Sequence, residues 1–333
     1  MSTPVTAPPP LTNQPMSFTS TTSKLGEFFR NKRLIIILGL IVTAIVGFIV
    51  AWVIYTYIKT KTIDRKVYII PQTKDPVLGT VVTKGDGSGI PDTLNGHRFT
   101  FSFWIYIHNL SKNAGIQRHI LHRGTKNNPL GGSPTVFLDP NLNKISVLFD
   151  TTTDDKLPSE LTTGDYITPD MILKYRLATR GITIDYIPLQ RWVHVAIVVN
   201  ENSNGGSISA YVDAELVKTR TNNQSFKIDY KDENNEDKKF STKPDITNLD
   251  LDRKGTVFIG GNEDSAVGIG FSGLVSMVQF FNYDLNDGDI YKVYLQGPIY
   301  LDAGGKFANT IGIGSLTNQY GVRNPIYKKP TLT

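Results

Sequence analysis

Among the side chains that could take part in catalysis or metal binding are five histidines, namely His97, His108, His119, His122 and His194. His119 and His122 are three residues apart, which in a strand or loop predicts opposite faces, unlike the paired histidines of a helical zinc motif. His194 lies in a Trp-x-His motif, where the expected role is a packed core residue. No Ser-His-Asp arrangement can be assigned. The absence of cysteine excludes thiolate chemistry and disulfides.

Two carboxylates have a spacing that sugar hydrolysis on a strand could use. Retaining glycosidases need two carboxylates about 5–5.5 Å apart, and acidic residues two apart on one strand face meet this requirement. Asp213 and Glu215 alternate in this way in a predicted strand. The sequence therefore keeps glycoside hydrolysis as the weakest of three functional hypotheses.

Oxygen-bearing side chains in predicted loops could hold calcium, which binds carboxylate, amide and backbone oxygens. The candidate ligands are Asp139, Asn141, Asn143, Asn262 and Asp264. Asp and Asn are also common turn residues, because their side chains bond to nearby backbone groups. A calcium site and a purely local role both remain open, and no other cofactor is predicted.

The positive charge of the chain is confined to one short region. The formal net charge is +5, but residues 1–70 carry eight basic and two acidic side chains, whereas residues 71–333 carry 27 basic and 28 acidic ones. Binding to nucleic acid depends on a basic surface. The near-neutral body therefore disfavours nucleic acid as a partner.

The basic region brackets an uncharged apolar segment of 25 residues, Leu34–Ile58. As a helix it would span roughly 37 Å, more than the roughly 30 Å hydrocarbon core of a bilayer. Trp52, Tyr55 and Tyr57 lie near its C-terminal end, where aromatic rings prefer the headgroup region. The segment predicts a single-pass anchor with the lipid bilayer as partner. Its orientation stays open, because each flank carries four Lys or Arg residues.

Small residues recur at intervals of four within the apolar segment, at Gly39, Thr43, Gly47 and Ala51. Such a stripe lets a second helix approach closely in a membrane. The same pattern also arises by chance in spans that contain Gly, Ala and Thr. Helix pairing and a coincidental pattern both remain open.

Residues 67–297 show alternating apolar strands separated by turn clusters, with one convincing helix. The segment 99–108 alternates apolar and mixed residues, which predicts a strand covered on both faces. A helix is predicted to begin near Asn286 and to end at Gly297. These elements indicate a mainly β fold, an antiparallel β-sandwich of the jelly-roll type. Further strands are predicted at 135–138, 145–149, 192–199, 207–217, 256–260 and 273–281.

Six motifs follow one another in a distinctive order: Phe99–Trp104, Gln190–Ala196, Ala210–Val217, Phe258–Gly261, Phe271–Val275 and Tyr283–Leu285. This order resembles the concanavalin A-like lectin/glucanase superfamily, especially its laminin-G-like and pentraxin-like branch. The resemblance implies a turn or rim role for Asp213 and Glu215. The Glu-x-Asp-x-x-Glu strand of the glucanase branch does not occur, and Ala214 stands where the family has Gly in a tight turn. The resemblance also implies structural roles for Trp104, Trp192, His194, Asp213 and Gly273.

The sequence predicts five parts: a Pro/Ser/Thr-rich tail (1–33), a transmembrane helix (34–58), a stalk (59–94), the sandwich (95–297) and an extended C-terminal arm (298–333). The tail has few large apolar residues and should not fold alone. Segments 151–187 and 221–250 exceed the family pattern and are expected to be insertions, the second of them a solvated loop.

The leading functional hypothesis is a non-enzymatic, membrane-anchored structural or interaction protein. An anchor, a Cys-free sandwich and an extended arm are together similar to minor capsid proteins of large DNA viruses, which tether a virion shell to an internal membrane. Neighbouring structural proteins would then be the partners. The alternative is a cell-surface adhesin that binds glycans through its lectin-like domain. The lack of cysteine favours assembly outside the secretory lumen.

Overall fold

The computed structural model describes part of the chain, and it divides the chain into two units, Met1–Thr62 and Ile63–Thr333. The N-terminal tail and most of the C-terminal arm lie outside the described residues, as do His97, Asn262 and Asp264. The described residues are 32–60, 66–82, 89–93, 98–125, 131–152, 157–158, 168–202, 205–231, 236–261 and 269–299.

The described part of the first unit is one long helix, α1, over Lys32–Thr60. Its segment Ile35–Tyr55 has 21 residues with a mean hydropathy of 2.8, and none of it is buried within the structure. A helix of this length is about 32 Å long, close to the thickness of the hydrocarbon core of a bilayer. By length and composition, α1 could therefore cross a membrane.

The second unit is built from antiparallel strands. In chain order they are β1 (Lys66–Ile70), β2 (Thr80–Val82), β3 (Arg98–Ile107), β4 (Arg118–Gly124), β5 (Thr135–Leu138), β6 (Ile145–Leu148), β7 (Gly181–Ile184), β8 (Trp192–Asn202), β9 (Gly205–Val212), β10 (Glu215–Thr221), β11 (Phe226–Lys231), β12 (Asp237–Thr242), β13 (Thr256–Ile259) and β14 (Gly273–Phe281).

Twelve of these strands form two six-stranded sheets, and β11 pairs with β12 in a separate hairpin. Sheet 1 has the order β1-β14-β3-β8-β9-β10, and sheet 2 has the order β2-β13-β4-β5-β6-β7. The predicted antiparallel β-sandwich is therefore confirmed. Its first two strands, β1 and β2, lie within the segment 59–94 that the sequence predicts as a stalk, so the sheets begin before the predicted boundary at residue 95. The hairpin lies within the segment 221–250, which the sequence predicts as a solvated insertion, and its β12 is largely exposed.

The core fills the space between the sheets, and β3 shows how the sequence pattern produces it. Alternate residues of β3 join the core cluster and are fully buried, namely Phe99, Phe101, Phe103, Ile105 and Ile107. The other face of the strand is also covered, since Ser102 and Trp104 have no exposed surface. The alternating pattern correctly predicts a central strand that is covered on both faces.

A helix near the C-terminal end of the body covers the outer face of sheet 1. This helix, α3, spans Asp287–Leu295, and its N-terminus is capped by the Asn286 side chain, which accepts a hydrogen bond from the Asp289 N–H at 2.9 Å. Ile290 and Val293 are buried against apolar residues of sheet 1. The predicted helix is confirmed, and its capping residue is the one that the sequence indicates.

Among the described residues there is one further α-helix, which the sequence does not predict: α2 over Pro169–Arg180, within the expected insertion 151–187. Its apolar stripe is short, because Met171 and Ala178 are its buried apolar residues. The Thr168 side chain caps its N-terminus locally, and at its C-terminus the Arg220 guanidinium donates to the Gly181 carbonyl at 2.5 Å. A cation at this end favours the helix dipole, so a local cap and a tertiary contact, rather than periodicity, explain α2.

The single strand predicted over 207–217 is wrong, because the chain reverses within it. β9 ends at Val212 and β10 begins at Glu215, and these two residues pair across the turn. Asp213 and Ala214 between them have φ angles of 51° and 68°. Two consecutive positive φ angles are typical of the tight hairpin turn that matches strand twist. The turn therefore forms although alanine replaces the glycine of the family pattern.

Candidate functional site

His194 lies on the outer face of sheet 1, in register with Trp104 on the neighbouring strand. Its ring centre is 5.2 Å from that of Trp104 and 6.0 Å from that of Tyr294 in α3. The side chain is fully buried, and burial lowers its pKa to about 3. Neither ring nitrogen has a hydrogen-bond partner among the described residues. His194 is thus a neutral packing residue that a substrate cannot reach.

Asp213 fastens the turn between β9 and β10 to the neighbouring strand. Its Oδ1 accepts a hydrogen bond from the His194 backbone N–H at 2.9 Å, and its own N–H donates to the His194 carbonyl at 2.8 Å. The Arg191 guanidinium donates to Oδ2 at 2.5 Å. Burial raises the pKa of Asp213, while the His194 N–H and Arg191 oppose this change. This carboxylate has a structural position in the turn.

The expectation that Asp213 and Glu215 alternate on one strand is wrong for the same reason. Asp213 belongs to the turn with a left-handed backbone, and Glu215 is the exposed first residue of β10. Their spacing along the sequence therefore does not place them as a pair on one strand face, which was the arrangement proposed for sugar hydrolysis.

His119 and His122 lie side by side, so the prediction that they occupy opposite faces is wrong. The pairing of β4 with β5 shifts register between His119 and Leu121. This bulge inserts one residue and brings both histidines to the same face of sheet 2. Nε2 of His119 is 2.9 Å from Nδ1 of His122. A bulge leaves no clear mark in a single sequence, and period-two counting fails wherever one occurs.

Backbone carbonyls hold the histidine pair at both ends. His119 Nδ1 is 2.8 Å from the Gly260 oxygen, and His122 Nε2 is 3.1 Å from the Thr125 oxygen. Burial lowers the pKa of His119 to about 3 and also lowers the pKa of His122. The ring nitrogens are engaged within the protein. Among the described residues, no group of three His, Cys, Asp or Glu side chains could hold a metal ion.

The described calcium candidates take part in turns. Asp139 Oδ1 accepts hydrogen bonds from the backbone N–H groups of Asn141 and Leu142, both at 2.9 Å. The Asn143 side chain donates to the Ile187 carbonyl at 2.7 Å and thereby joins two loops. This is the local bonding expected of turn residues, and it engages Asp139 Oδ1, one of the oxygens that a calcium ion could use.

The predicted anchor residues lie along α1. The Thr43 hydroxyl donates to the Gly39 carbonyl at 2.8 Å within the helix. A Cβ added at Gly39 or Gly47 would meet no atom within 4 Å, so no described residue covers the small-residue stripe there. Ala51, Trp52 and Tyr55 are exposed. Leu34 and Tyr57 also belong to α1, but their side chains lie outside the described part.

Two further motif residues occupy crowded positions in sheet 1. A Cβ at Gly273 would come within 2.1 Å of the Tyr106 carbonyl oxygen, so no larger residue fits there without a backbone shift. Trp192 is 8% exposed, and its ring packs edge-on against Tyr106 at 5.7 Å between centroids. Both residues contribute to packing at the same end of β3.

The structure also contains an open cavity that sequence reasoning missed. It measures about 310 Å³ and is lined by Lys218, Thr219, Arg220, Gln224, Ser225 and Phe226. The Arg220 guanidinium lies 4.3 Å from the centre of the Phe226 ring. The cavity therefore offers an aromatic ring beside amide, hydroxyl and ammonium groups. It depends on how β10 and β11 meet, and no sequence pattern reports that arrangement.

The sequence of the body matches a known family of domains. Residues 83–236 match the laminin G model described as the concanavalin A-like lectin/glucanases superfamily. No curated protein sequence matches the chain.

Similar solved structures include receptor-binding domains of botulinum neurotoxins. The serotype D binding domain aligns with a TM-score of 0.37 and 15% identity over 69% of this chain and 41% of that chain. The binding domain of neurotoxin DC aligns at 0.36 and 13% in its complex with rat synaptotagmin II, over 69% and 46% of the two chains. In its complex with SialylT it aligns at 0.35 and 12%, over 69% and 45%.

This chain spans less than half the length of those three structures. The family match and the two six-stranded antiparallel sheets agree with each other, and the body has the concanavalin A-like fold.

Proposed function

We propose that this chain is a non-enzymatic interaction protein that is anchored in a membrane by α1 and uses its concanavalin A-like body as a binding module. The observation that carries the proposal is the apolar segment Ile35–Tyr55, none of which is buried within the structure. Exposing so many large apolar side chains to water is strongly unfavourable. A bilayer would remove them from water without any partner protein.

The state of the chemically capable side chains supports a binding role over catalysis. His194 is sealed between aromatic rings, and the nitrogens of His119 and His122 are engaged with each other and with carbonyls. Asp213 holds a turn through the His194 backbone and Arg191. A general acid or base must reach its substrate, and these groups serve the fold instead.

Membrane integration is tested with the full chain expressed in cells, followed by alkaline extraction of the membrane fraction. We expect the wild-type chain to stay in the pellet and to float with lipid. The double variant Ile45→Arg/Val46→Arg places two charges at the centre of the span, at about 2.5–3.5 kcal/mol each, and should move to the soluble fraction. A matched Lys32→Arg variant should behave as wild type. Release of the wild-type chain at high pH would contradict the proposal.

The two functional hypotheses that the sequence leaves open differ in the partner that the body binds. A virion-shell tether would bind neighbouring structural proteins, and this identity stays a prediction. A glycan-binding adhesin is favoured by one specific observation, the open cavity beside Phe226 with its polar rim. Sugars commonly bind where an aromatic surface lies beside well-placed hydrogen-bonding groups.

The full chain in lipid nanodiscs on a glycan array separates these two roles. Saturable sugar binding that is lost in Gln224→Ala and kept in Lys227→Ala would support the adhesin, because Gln224 lines the cavity and Lys227 does not. An array without binding would favour protein neighbours.

A further inference from the structure

Among the described residues of the body, most of the exposed large apolar side chains lie at one end of the sandwich. Three of the most exposed lie in separate connections: Leu78 is 77% exposed, Tyr186 is 65% exposed and Leu142 is 58% exposed. The loops that contain Ile116 and Leu189 lie at the same end, as does the start of β10 with Leu216 and Val217, and these four side chains are also exposed.

Strand register shows that these connections share one end. The Gln190 N–H bonds to the carbonyl of Ile107, the last residue of β3, and Ile107 pairs with Gly273, the first residue of β14. The chain enters the body at the opposite end, where Lys66 pairs with Phe281. We call the end that contains Ile107 and Gly273 the apolar loop end. Among the described residues, no connection at the entry end carries an exposed large apolar side chain.

Hydrogen bonds tie the loops of the apolar loop end to one another. The Gly115 N–H donates to the Pro140 carbonyl at 3.1 Å. Asn143 and Ile187 are joined twice, by a backbone hydrogen bond and by the Asn143 side chain, each at 2.7 Å. These hydrogen bonds connect the loops to one another. The apolar side chains of the loops stay exposed instead of packing on the core.

The charges at this end are nearly balanced. Its described segments 71–79, 108–118, 139–144, 185–191 and 213–218 contain six basic and five acidic side chains. Ion pairs join Arg191 to Asp213, and Lys144 and Lys218 to Asp185. The described part of this end therefore presents no strong field of either sign, which matches the electroneutral surface of zwitterionic lipids.

We infer that the apolar loop end docks on the surface of a second bilayer of zwitterionic lipid, so that the chain bridges two membranes. The exposed apolar side chains lie on separate loops and do not form one continuous patch. A fluid bilayer can take up such separate side chains without preformed pockets. Tyr186 adds an amphipathic ring of the kind that favours the headgroup region. The inference rests on the proposed function, because it requires α1 to hold the chain in the first membrane.

The test uses phosphatidylcholine vesicles that carry the full chain, mixed with protein-free phosphatidylcholine vesicles, with clustering measured by light scattering. We expect clustering that changes little with salt, since no charge attraction is involved. The double variant Leu142→Ser/Tyr186→Ser should lose at least roughly tenfold in clustering efficiency, because two apolar side chains no longer enter lipid. Val81→Ser is the matched control, because Val81 is 63% exposed but lies in β2 and not in a loop of this end.

Each other outcome overturns the inference in a recognisable way. Clustering only when both vesicle populations carry the chain would show contact between two copies. Clustering that requires anionic lipid would show electrostatic docking. If the chain floats with its own vesicles but does not cluster them, the anchor stands and the docking surface fails. If the chain does not float with lipid, the proposed function fails first.

Discussion

Nε2 of His119 lies 2.9 Å from Nδ1 of His122, and both rings are buried beneath the surface of sheet 2. Their outer nitrogens face carbonyl oxygens of Gly260 and Thr125. Two neutral imidazoles have one N–H each and so supply two donors for three nitrogen contacts, while burial favours the uncharged form of this pair. Together with His194 it makes three buried histidines whose pKa is lowered by burial.

This arrangement predicts acid-labile folding. The folded-state pKa is about 3 for His119 and His194, below the value of about 6.5 for an unfolded chain. Unfolding therefore takes up protons as the pH falls. Stability is complete above about pH 6.5 and falls below it by about 1.4 kcal/mol per pH unit for each group, down to the folded-state pKa. These two residues alone should cost about 3 kcal/mol between pH 6.5 and 5.

Urea unfolding of the body, followed by tryptophan fluorescence at several pH values, measures this dependence. His194→Phe should reduce the slope by about 1.4 kcal/mol per pH unit, whatever its effect on stability at pH 7. His108→Gln is the control, because His108 is exposed. Equal stability at pH 7 and pH 5 would contradict the assignment of neutral buried histidines.

The hairpin turn between β9 and β10 predicts a stabilising substitution. Ala214 has a φ of 68°, a left-handed conformation that costs an L-residue with a Cβ about 1–2 kcal/mol. Glycine avoids this strain but loses more entropy on folding. Ala214→Gly should therefore raise the free energy of unfolding by about 0.5–1 kcal/mol. Ala210→Gly in β9 should lower it, and a destabilising Ala214→Gly would contradict the observed turn.

Asp213 is predicted to contribute to stability and not to catalysis. Asp213→Ala leaves the His194 N–H and Arg191 without this acceptor and should cost about 1–3 kcal/mol, whereas Asp213→Asn keeps an acceptor and should cost less. Glu215→Gln should stay within about 0.5 kcal/mol of wild type, because the side chain is exposed. A panel of β-glucans checks the alternative: turnover by the wild type that is lost in Glu215→Gln would overturn the non-enzymatic account.

Asp139 is predicted to act as a turn cap that does not depend on calcium. Asp139→Ala removes the acceptor for two backbone N–H groups and should lower the free energy of unfolding by about 1–2 kcal/mol. Thermal unfolding with and without calcium chloride should give the same Tm for the wild type. Asn141→Ala provides a nearby control with an exposed side chain. A calcium-dependent rise in Tm that disappears in Asp139→Ala would instead show a bound ion.

The features that are predicted correctly from the sequence depend on residues that are close together along the chain. The alternation from Phe99 to Ile107 predicts a doubly covered strand, and the spacing of Asn286 and Asp289 predicts the start of α3. The missed features depend on contacts distant in sequence. The bulge at Ile120 brings the two histidines together, and Arg220 caps a helix about forty residues earlier in the chain. A period-two or period-3.6 pattern does not contain this information.

The apolar loop end could be predicted from the sequence only in part. Leu78, Leu142 and Tyr186 are ordinary loop residues when read along the chain, and single exposed apolar residues are common on proteins. Only the strand register shows that their loops share one end of the sandwich. Their collective position is therefore a property of the fold, although each residue is visible in the sequence.

The central claim, that α1 crosses a bilayer and separates the tail from the body, is tested most directly by labelling single cysteines in sealed vesicles. The chain contains no cysteine, so Ser23→Cys, Val46→Cys and Lys112→Cys each supply one unique thiol. With a membrane-impermeant maleimide we predict that, for molecules of one orientation, either position 23 or position 112 reacts before lysis, and the other reacts only afterwards. Position 46 should stay unreactive until detergent is added. Reaction of all three positions in intact vesicles would contradict the account.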